Sequence, residues 1–571
     1  MLSKIKNIAS YHRYVIKTNF YLSKWNFLVL TILSLVSLLC AFLVVYFSVP
    51  FLDFILGKNT NNYHEITETL IKFLNYINLE ISFFICAAFF LITIIFKSLV
   101  DTAFEYYAVK MQYKYMINAG FELNKKILNM YQSFFIKFST SKILNLYSKE
   151  TERAAGVILS FFMILNSFLQ IIIFLAVPAY LNFSFTISFL MMLILFLAPL
   201  TYLNLISIKI GIKSTKVNDE YFRTLTNNFL YSKFISIHGL LSKADQLFKK
   251  SFNSYRENKL QSNLVGLIIR NYIQPIGIFC LVFTFSFFYD EFDNLPVIGA
   301  IVWSLTRILA PVNNLLSNFN LINIQIGAFK NIYETLNNFK NLKINNGDTD
   351  IEKINEISLN KVNFNYDKKE ILKDIDLNIK KGSKIAIIGE TGSGKSTLLD
   401  IISNVNKPDS GNVKINKIEY EKINFYKLRK KISYVPQMLS ILDGTIKEYF
   451  EFYNENIDEL KINEHLSFLD CDKFLRNDSD RLNEYLGDKG MKLSGGQKQK
   501  IILAAAISRK PELIILDEST NAIDYDEEKK VLDKLCNLES TIIFISHKLQ
   551  NFQNKFDKIY KIENKKLINI V

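Results

Sequence analysis

Cysteine and histidine are scarce in this chain of 571 residues, which contains five of each. The cysteines are scattered, and no two stand at the spacing of metal ligands. We therefore expect neither a disulfide framework nor a zinc site. Lysine and arginine outnumber acidic residues, 68 to 54, but they do not form one run interleaved with aromatic residues. A nucleic-acid partner is therefore not expected.

Charge is absent from long stretches of the amino-terminal half. Residues 26–52 contain no charged side chain, and neither do the 55 residues between Arg153 and Lys209. About 20 apolar residues in a helix cross a hydrocarbon core about 30 Å thick, so the first stretch predicts one membrane helix and the second predicts two. The turn between those two is expected at residues 178–182. No small-residue cleavage site follows the basic residues at the start, which we expect to remain as a cytoplasmic flank.

The whole pattern predicts an α-helical membrane domain of six transmembrane helices over residues 1–335, a linker over 336–353 and a second domain over 354–571. The fifth crossing is interrupted only by Arg270 and the sixth only by Arg307. The basic segments 109–153 and 209–259 are expected in the cytoplasm by the positive-inside rule. The predicted helices cover about 26–52, 79–104, 157–178, 183–206, 262–288 and 296–328.

The second domain alternates short strands with helical stretches, which predicts an α/β fold on a mostly parallel sheet. A glycine-rich loop with the sequence GETGSGKS follows one predicted strand and precedes a helix. In that context the backbone amides and the helix amino terminus cradle phosphates, Lys395 reaches the terminal phosphates and Ser396 offers a hydroxyl to Mg²⁺. The alternative is a chance match without function. The candidate nucleotide-binding residues here are Gly389, Glu390, Thr391, Gly392, Ser393, Gly394, Lys395, Ser396 and Thr397.

Two further strands carry candidate groups at their carboxyl ends, where α/β sheets hold ligands. The run from Leu513 ends in Asp517 and Glu518, and Thr541–Ile545 is followed by Ser546 and His547. Alternatively, the two acids simply face solvent at a strand end. Between these strands and the phosphate loop stands the pentapeptide LSGGQ, from Leu493 to Gln497.

The combination of the phosphate loop, the LSGGQ pentapeptide and the strand that ends in Asp-Glu resembles one family, the ATP-binding cassette (ABC) transporters. With the six predicted helices ahead of it, the chain resembles an exporter-type half-transporter. The resemblance implies ATP and Mg²⁺ as cofactors and an ATP hydrolase coupled to transport. It assigns Asp517 to Mg²⁺, Glu518 to general-base catalysis, His547 to the γ-phosphate and Gln437 to sensing of Mg²⁺. It also matches Asp524 to the family's D-loop. Tyr366 matches the aromatic that stacks on adenine, and the alternative is a core aromatic of its strand.

The pentapeptide also bears on oligomeric state. In this family Ser494, Gly495, Gly496 and Gln497 would contact a nucleotide held by a second cassette, and this chain has one loop and one pentapeptide. The resemblance therefore implies a dimer, with a second copy as the economical partner and a different chain as the alternative. The sequence departs from common family residues without removing a catalytic group at Lys498, Lys500, Ala505 and Asn521.

The implied function is an ATP-driven exporter or flippase in the cell inner (cytoplasmic) membrane, with the amino terminus and the cassette in the cytoplasm. Its cargo would be an amphipathic lipid, lipid-linked glycan, peptide or drug. An importer on the same scaffold and an ATP-gated channel or regulatory subunit stay open. Arg270 and Arg307 either line a substrate pathway and attract an anionic group or extend to the membrane interface. Residues 129–147 and 226–239 resemble coupling helices, or are plain amphipathic helices.

Overall fold

The computed structural model describes residues 24–56, 65–76, 82–288, 295–338, 344, 346–366, 369–437, 441–476, 480–487, 490–546 and 553–570. The chain divides into two compact units. The first comprises residues 1–128 and 138–341, and the second comprises residues 129–137 and 342–571. The predicted basic flank ahead of residue 24 lies outside the described residues.

The first unit is a bundle of long helices, as its uninterrupted apolar stretches predict. A π-helical turn, Leu146–Glu150, joins two of them, and α4 (Gln132–Lys137) is grouped with the second unit. The helices of the first unit are α1 (Lys24–Leu56), α2 (Glu65–Tyr76), α3 (Phe83–Leu128), α5 (Thr140–Asn145), α6 (Thr151–Leu181), α7 (Phe183–Leu230), α8 (Ser232–Ile237), α9 (Leu241–Phe287) and α10 (Leu295–Asn338).

Five stretches of the described chain are long and apolar enough to cross a membrane: Trp25–Ile55, Phe83–Leu128, Thr140–Leu181, Phe183–Leu230 and Leu241–Phe287. The prediction of a helical membrane domain is therefore confirmed. The sixth predicted crossing falls in α10, which is 44 residues long but does not belong to those five.

The turn predicted at residues 178–182 is the break between α6 and α7. Asn182 leaves the helical region, with φ −151° and ψ 101°, and its side-chain oxygen accepts a hydrogen bond from the Phe185 amide at 2.9 Å. Asn182 thus caps α7 in the way that short polar side chains favour. The helix then runs for 48 residues, far past the predicted end at 206. Charge marks where a helix leaves the bilayer, not where the helix itself ends.

Glycines and a buried ion pair hold the first unit together away from its apolar stretches. An added Cβ at Gly211 of α7 would lie 2.5 Å from the Ile324 carbonyl oxygen of α10, so the two backbones touch. Nearby, Arg153 donates to Glu150 at 3.0 Å and to the Ile324 carbonyl at 2.9 Å, and Glu150 is fully buried. Breaking such a pair would leave an uncompensated buried charge, which is strongly destabilising.

The second unit contains two sheets. One is antiparallel in the order β2-β1-β4-β5, and the other is six-stranded in the order β10-β9-β3-β8-β7-β6. The strands are β1 (Glu356–Tyr366), β2 (Lys369–Lys380), β3 (Lys384–Gly389), β4 (Ser410–Ile415), β5 (Ile418–Glu419), β6 (Ile432–Val435), β7 (Leu513–Asp517), β8 (Thr541–Ile545), β9 (Lys558–Glu563) and β10 (Lys566–Asn569). The helices are α4 with α11 (Lys395–Ile402), α12 (Phe425–Leu428), α13 (Ile446–Tyr453), α14 (Glu459–Phe468), α15 (Gly495–Ser508) and α16 (Tyr525–Cys536).

The centre of the larger sheet is parallel, which confirms the predicted α/β class. β3 pairs with β8 and β9, β8 pairs with β7, and β7 pairs with β6, all in parallel. Every residue of β7 and β8 is buried, in keeping with strands covered on both faces. Because β3, β6, β7 and β8 run the same way, the residues that follow them meet at one edge of the sheet.

Residues 129–137 belong to the second unit through direct hydrogen bonds. The Gln132 amide donates to the Val405 carbonyl at 3.0 Å, and the Tyr426 hydroxyl donates to the side-chain oxygen of Asn129 at 2.6 Å. The first segment that resembled a coupling helix therefore begins with residues that pack as part of the cassette unit. The second such segment contains α8, in which Phe234 and Ile237 are exposed, as is Tyr231 just before it.

We expect Gly211→Ala to destabilise the first unit, because its Cβ would overlap backbone atoms that cannot rotate away. Overpacking of this kind costs about 1–3 kcal/mol. The apparent melting midpoint in detergent should fall by several degrees. Gly120→Ala is the matched control, because a Cβ there meets nothing within 4 Å and alanine favours the helix. Equal midpoints for the two variants would contradict the close packing of α7 on α10.

Candidate nucleotide site

The phosphate loop joins β3 to α11 by a turn that requires glycine. Gly394 precedes α11 with φ 103°, a conformation that residues with a Cβ rarely adopt. A Cβ there would also lie 3.0 Å from side-chain atoms of Ile371 and Leu372. The loop residues Glu390, Thr391 and Gly392 are exposed. The loop is therefore compact at its base and open to a ligand at its tip.

Lys395 is buried beneath this loop, with 5% of its surface exposed. Its ammonium donates to the carbonyl oxygens of Gly389 at 2.8 Å and Glu390 at 2.9 Å. Burial lowers the pKa of Lys395, and the nearby carboxylates of Glu518 and Asp517 oppose that shift. The lysine thus holds the loop by bonds that an incoming phosphate can take over.

Asp517 ends β7 beside the loop and is 3% exposed. One carboxylate oxygen accepts a hydrogen bond from the Tyr434 hydroxyl at 3.1 Å. The other oxygen, Oδ1, is buried and has no hydrogen-bond partner in the described part of the chain. Burial raises the pKa of Asp517, while the hydroxyls of Ser396 and Tyr434 and the charge of Lys395 favour its ionised form.

The unpartnered oxygen of Asp517 fits a cation. Mg²⁺ in nucleotide sites is held by one or two carboxylates or hydroxyls together with phosphate oxygens and water. Asp517 and Ser396 provide that limited set. The described residues hold no group of three or more His, Cys, Asp or Glu side chains suited to a metal ion, so a resident all-protein metal centre is not found there. The arrangement suits a metal that arrives with its nucleotide.

Glu518 follows Asp517 in a strained conformation, with φ 49°. This left-handed geometry is uncommon for residues other than glycine, and such outliers cluster at functional sites. The glutamate is 8% exposed, and its Oε2 accepts from the Gln437 side chain at 2.8 Å and from the Asn521 side chain at 3.1 Å. The side-chain amides of Gln437 and Asn521 therefore hold the carboxylate of Glu518 in an orientation that its backbone conformation also constrains.

The pentapeptide opens α15. Ser494 caps the helix, its hydroxyl accepting from the Gln497 amide at 3.3 Å while the Gln497 side chain accepts from the Ser494 amide at 2.9 Å. This reciprocal pair is a capping box. A Cβ on Gly496 would lie 2.8 Å from the Ala522 carbonyl oxygen, which explains the glycine by close contact. Ser494 and Gly495 are themselves exposed.

The remaining predicted residues have mixed positions. Tyr366 ends β1 half-buried, with its hydroxyl accepting from the Asn406 side chain at 3.2 Å and its ring packed edge-on against Phe364 at 4.9 Å. Asp524 is exposed at the start of α16. His547 lies outside the described residues, as do residues 488–489 just ahead of the pentapeptide.

Two neighbours of the site were missed by sequence reasoning. Asn521, noted only as a departure from the family pattern, bonds directly to Glu518. Asp400 of α11 lies behind the loop, where burial and the charge of Asp517 raise its pKa to about 7. No motif marks Asp400. Its position five residues after Lys395 on a short helix was a signal that could have placed its side chain near the sheet.

Known proteins match this arrangement. The family described as ABC transporter matches residues 372–521. A Rickettsia bellii protein that is named as an export ATP-binding/permease protein is 36% identical over 218 residues, which cover 37% of this chain and 38% of that protein. The uncharacterized ABC transporter ATP-binding protein YfiB of Bacillus subtilis is 35% identical over 214 residues, 37% of each chain. These matches therefore span less than two fifths of the relatives' lengths.

The fold likeness extends over nearly the whole chain. A solved structure of a bacterial Atm1-family ABC exporter with ATP bound superposes with a TM-score of 0.76 and covers 95% of both chains at 16% sequence identity. The fold and the site thus define a multi-pass membrane protein with an ABC ATP-binding domain. Residues 372–521 therefore match the ABC transporter family, and the chain as a whole has the fold of the Atm1-family exporter structure.

We expect Asp400→Asn to stabilise the cassette more at pH 8 than at pH 5. A carboxyl with a pKa near 7 when folded and about 4 when unfolded binds its proton more tightly in the folded state, so stability falls as pH rises between those values. Removing the charge should add on the order of 2 kcal/mol at pH 8 and less than half of that at pH 5. Denaturation without nucleotide or Mg²⁺ measures this, with exposed Asp526→Asn as control. Equal gains at both pH values would contradict it.

Proposed function

We propose that this chain is an ATP-driven ABC exporter or flippase that hydrolyses ATP to move an amphipathic substrate across a membrane. The observation that carries the proposal is the meeting of Lys395, Asp517 and Glu518 at one edge of the sheet, all buried. One buried ammonium and two buried carboxylates without a ligand are costly to keep together. A phosphate chain with Mg²⁺ matches all three groups at once.

In the proposed reaction each side chain has one task. Lys395 leaves its loop carbonyls and neutralises the terminal phosphates, and Asp517 with Ser396 would hold Mg²⁺, which when bound offsets phosphate charge. Glu518 polarises the attacking water as a general base. Gln437 and Asn521 hold the carboxylate of Glu518 in place until water enters. His547 is assigned to the γ-phosphate and Tyr366 to adenine stacking by the family resemblance.

A complete site in this proposal needs a second cassette. The exposed residues Ser494 and Gly495 lie at the positive end of the 14-residue helix α15 and can face a nucleotide held by another chain. The exposed apolar residues of α8, with Phe234 at 53% and Ile237 at 68%, are a further surface suited to contact with a second copy. We therefore propose a homodimer, with a heterodimer as the alternative.

The proposed cycle joins ATP-driven closure of the two cassettes to alternating access of the membrane domain, and hydrolysis resets it. The membrane is proposed to be the cell inner membrane, with the amino terminus and the cassette in the cytoplasm. Cargo classes that fit are lipids, lipid-linked glycans, peptides and drugs. The export name of the Rickettsia bellii relative favours outward movement over import, and the buried general base at Glu518 favours repeated hydrolysis over an ATP-gated channel.

Glu518→Gln should abolish hydrolysis while leaving ATP binding intact. Loss of a general base lowers the rate by about 10²-fold or more, and the isosteric amide keeps the site's shape. The purified chain would be reconstituted in liposomes, and ATPase activity and lipid, glycolipid and peptide transport would be measured with the variant in parallel. Glu512→Gln is the matched control, since it precedes the opposite end of β7.

Two results would count against the pump. Wild-type ATPase no higher than that of Glu518→Gln would remove the hydrolytic role. Hydrolysis that drives no movement of any tested amphiphile would instead favour a channel or regulatory subunit.

A further inference from the structure

An ion pair lies inside the second membrane helix. In α3 the Lys97 ammonium is 2.5 Å from a carboxylate oxygen of Asp101, and the other oxygen accepts from the Ser37 hydroxyl of α1 at 2.5 Å. The helix carries no charge from Phe83 to residue 96, so Lys97 lies about 20 Å along the helix from its start. Charges at such depth are expensive and mark functional sites by default.

A second cation lies on the neighbouring helix α10. The Arg307 guanidinium is 4.9 Å from the centre of the Trp303 ring. The Trp303 ring in turn packs against Phe90 of α3 at 5.6 Å, and Phe90 stacks on Phe51 of α1 at 5.1 Å. Arg307 therefore lies on the side of α10 that faces α3.

Helical geometry brings the two cations together. Lys97 and Asp101 follow Phe90 by seven and eleven residues, and at about 100° per residue both lie within about 20° of its face. Along the axis, Lys97 lies about 10 Å from the Phe90–Trp303 contact and Arg307 about 6 Å from it. Since α3 and α10 are the second and sixth of the long helices described, they run in the same direction when successive helices alternate. The cations then share one level of the bundle.

Both cations have unused binding capacity. Within the described residues Arg307 has no hydrogen-bond or ion-pair partner, and Lys97 uses only its contact with Asp101. Lysine has three N–H donors and arginine five. With one carboxylate between them the cluster carries a net charge of about +1. Arg307 is exposed, and Lys97 and Asp101 are half-buried, so a ligand can reach them.

We propose that Lys97 and Arg307 form the headgroup site for an amphiphile with an anionic headgroup, with the rings of Phe90 and Trp303 against its apolar part. The proposal deepens the exporter function above by naming its substrate class, and it rests on that function only for transport. Asp101 competes with the ligand for Lys97. It pairs with Lys97 until the anionic headgroup displaces its carboxylate, which then stays hydrogen-bonded to Ser37.

Fluorescence of Trp303 can report binding without any ATPase assay. The chain has two tryptophans, so Trp25→Phe leaves Trp303 as the single reporter. This variant, in a non-ionic detergent, would be titrated with dodecyl phosphate, with the zwitterion dodecylphosphocholine and with inorganic phosphate. We expect a saturable change with dodecyl phosphate and at least about ten times weaker responses to the other two, as a charge-assisted hydrogen bond discriminates by about this factor.

Substitutions in the same background then separate binding from folding. Lys97→Gln and Arg307→Gln should each weaken dodecyl phosphate binding about tenfold or more, whereas Asp101→Asn should tighten it because the competitor is gone. A merely structural ion pair would give losses for both Lys97→Gln and Asp101→Asn. Arg307→Gln keeps the test valid if Lys97→Gln does not fold, since Arg307 is exposed. Lys110→Gln, an exposed lysine further along α3, is the control and should bind normally.

Several outcomes would overturn the site. Affinities of Lys97→Gln and Arg307→Gln equal to that of Lys110→Gln would remove it, and so would weaker binding by Asp101→Asn. Equal responses to dodecylphosphocholine or to inorganic phosphate would remove the anionic-amphiphile class. Normal binding together with absent transport would leave this site standing and count against the exporter function alone.

Discussion

The cassette depends on one electrostatic constraint: a buried ammonium and two buried carboxylates meet at the carboxyl edge of a parallel sheet. Lys395 reaches the edge from the loop after β3, and Asp517 and Glu518 reach it from the end of β7. Parallel pairing through β8 fixes the spacing of those ends. Burial lowers the pKa of Lys395 and raises the pKa of Asp517, and the opposite charge of each group opposes the shift of the other. The strained backbone of Glu518 and its two amide partners belong to the same arrangement.

The membrane unit is held together by a different kind of contact. Its helices pack where small residues let backbones touch, as at Gly211 against Ile324, and where polar groups find partners across helices, as Arg153 does with the Ile324 carbonyl. Against that background, the exposed Arg307 and the partly engaged Lys97 are unusual: each carries charge at membrane depth without a full set of partners. This contrast is what separates a recognition element from a structural ion pair such as Glu150–Arg153.

Sequence reasoning was most accurate where a motif dictates local backbone. The phosphate loop, the helix opened by Ser494 and the break at Asn182 all follow from turn and capping chemistry that a few residues decide. It failed where contacts come from distant parts of the chain. Asp400, the bond from Asn521 to Glu518 and the shared level of Lys97 and Arg307 depend on tertiary packing that no spacing reveals. The predicted membrane spans are shorter than the helices that contain them, because charge in the sequence reports the membrane boundary, whereas α7 and α9 extend well beyond the predicted spans.

The central claim is that ATP is held between the phosphate loop of one chain and the pentapeptide of another. It is tested most directly by trapped ATP in a dual-tagged heterodimer carrying Glu518→Gln in both chains, Lys395→Ala in one and Ser494→Arg in the other. Such a dimer retains one intact composite site, so it should trap about half as much ATP per dimer as the Glu518→Gln parent, while either homodimer traps almost none. Replacing the exposed Ser494 removes a helix cap, which costs about 1 kcal/mol, but it buries no charge. Trapping by the heterodimer no greater than by the homodimers would contradict the account.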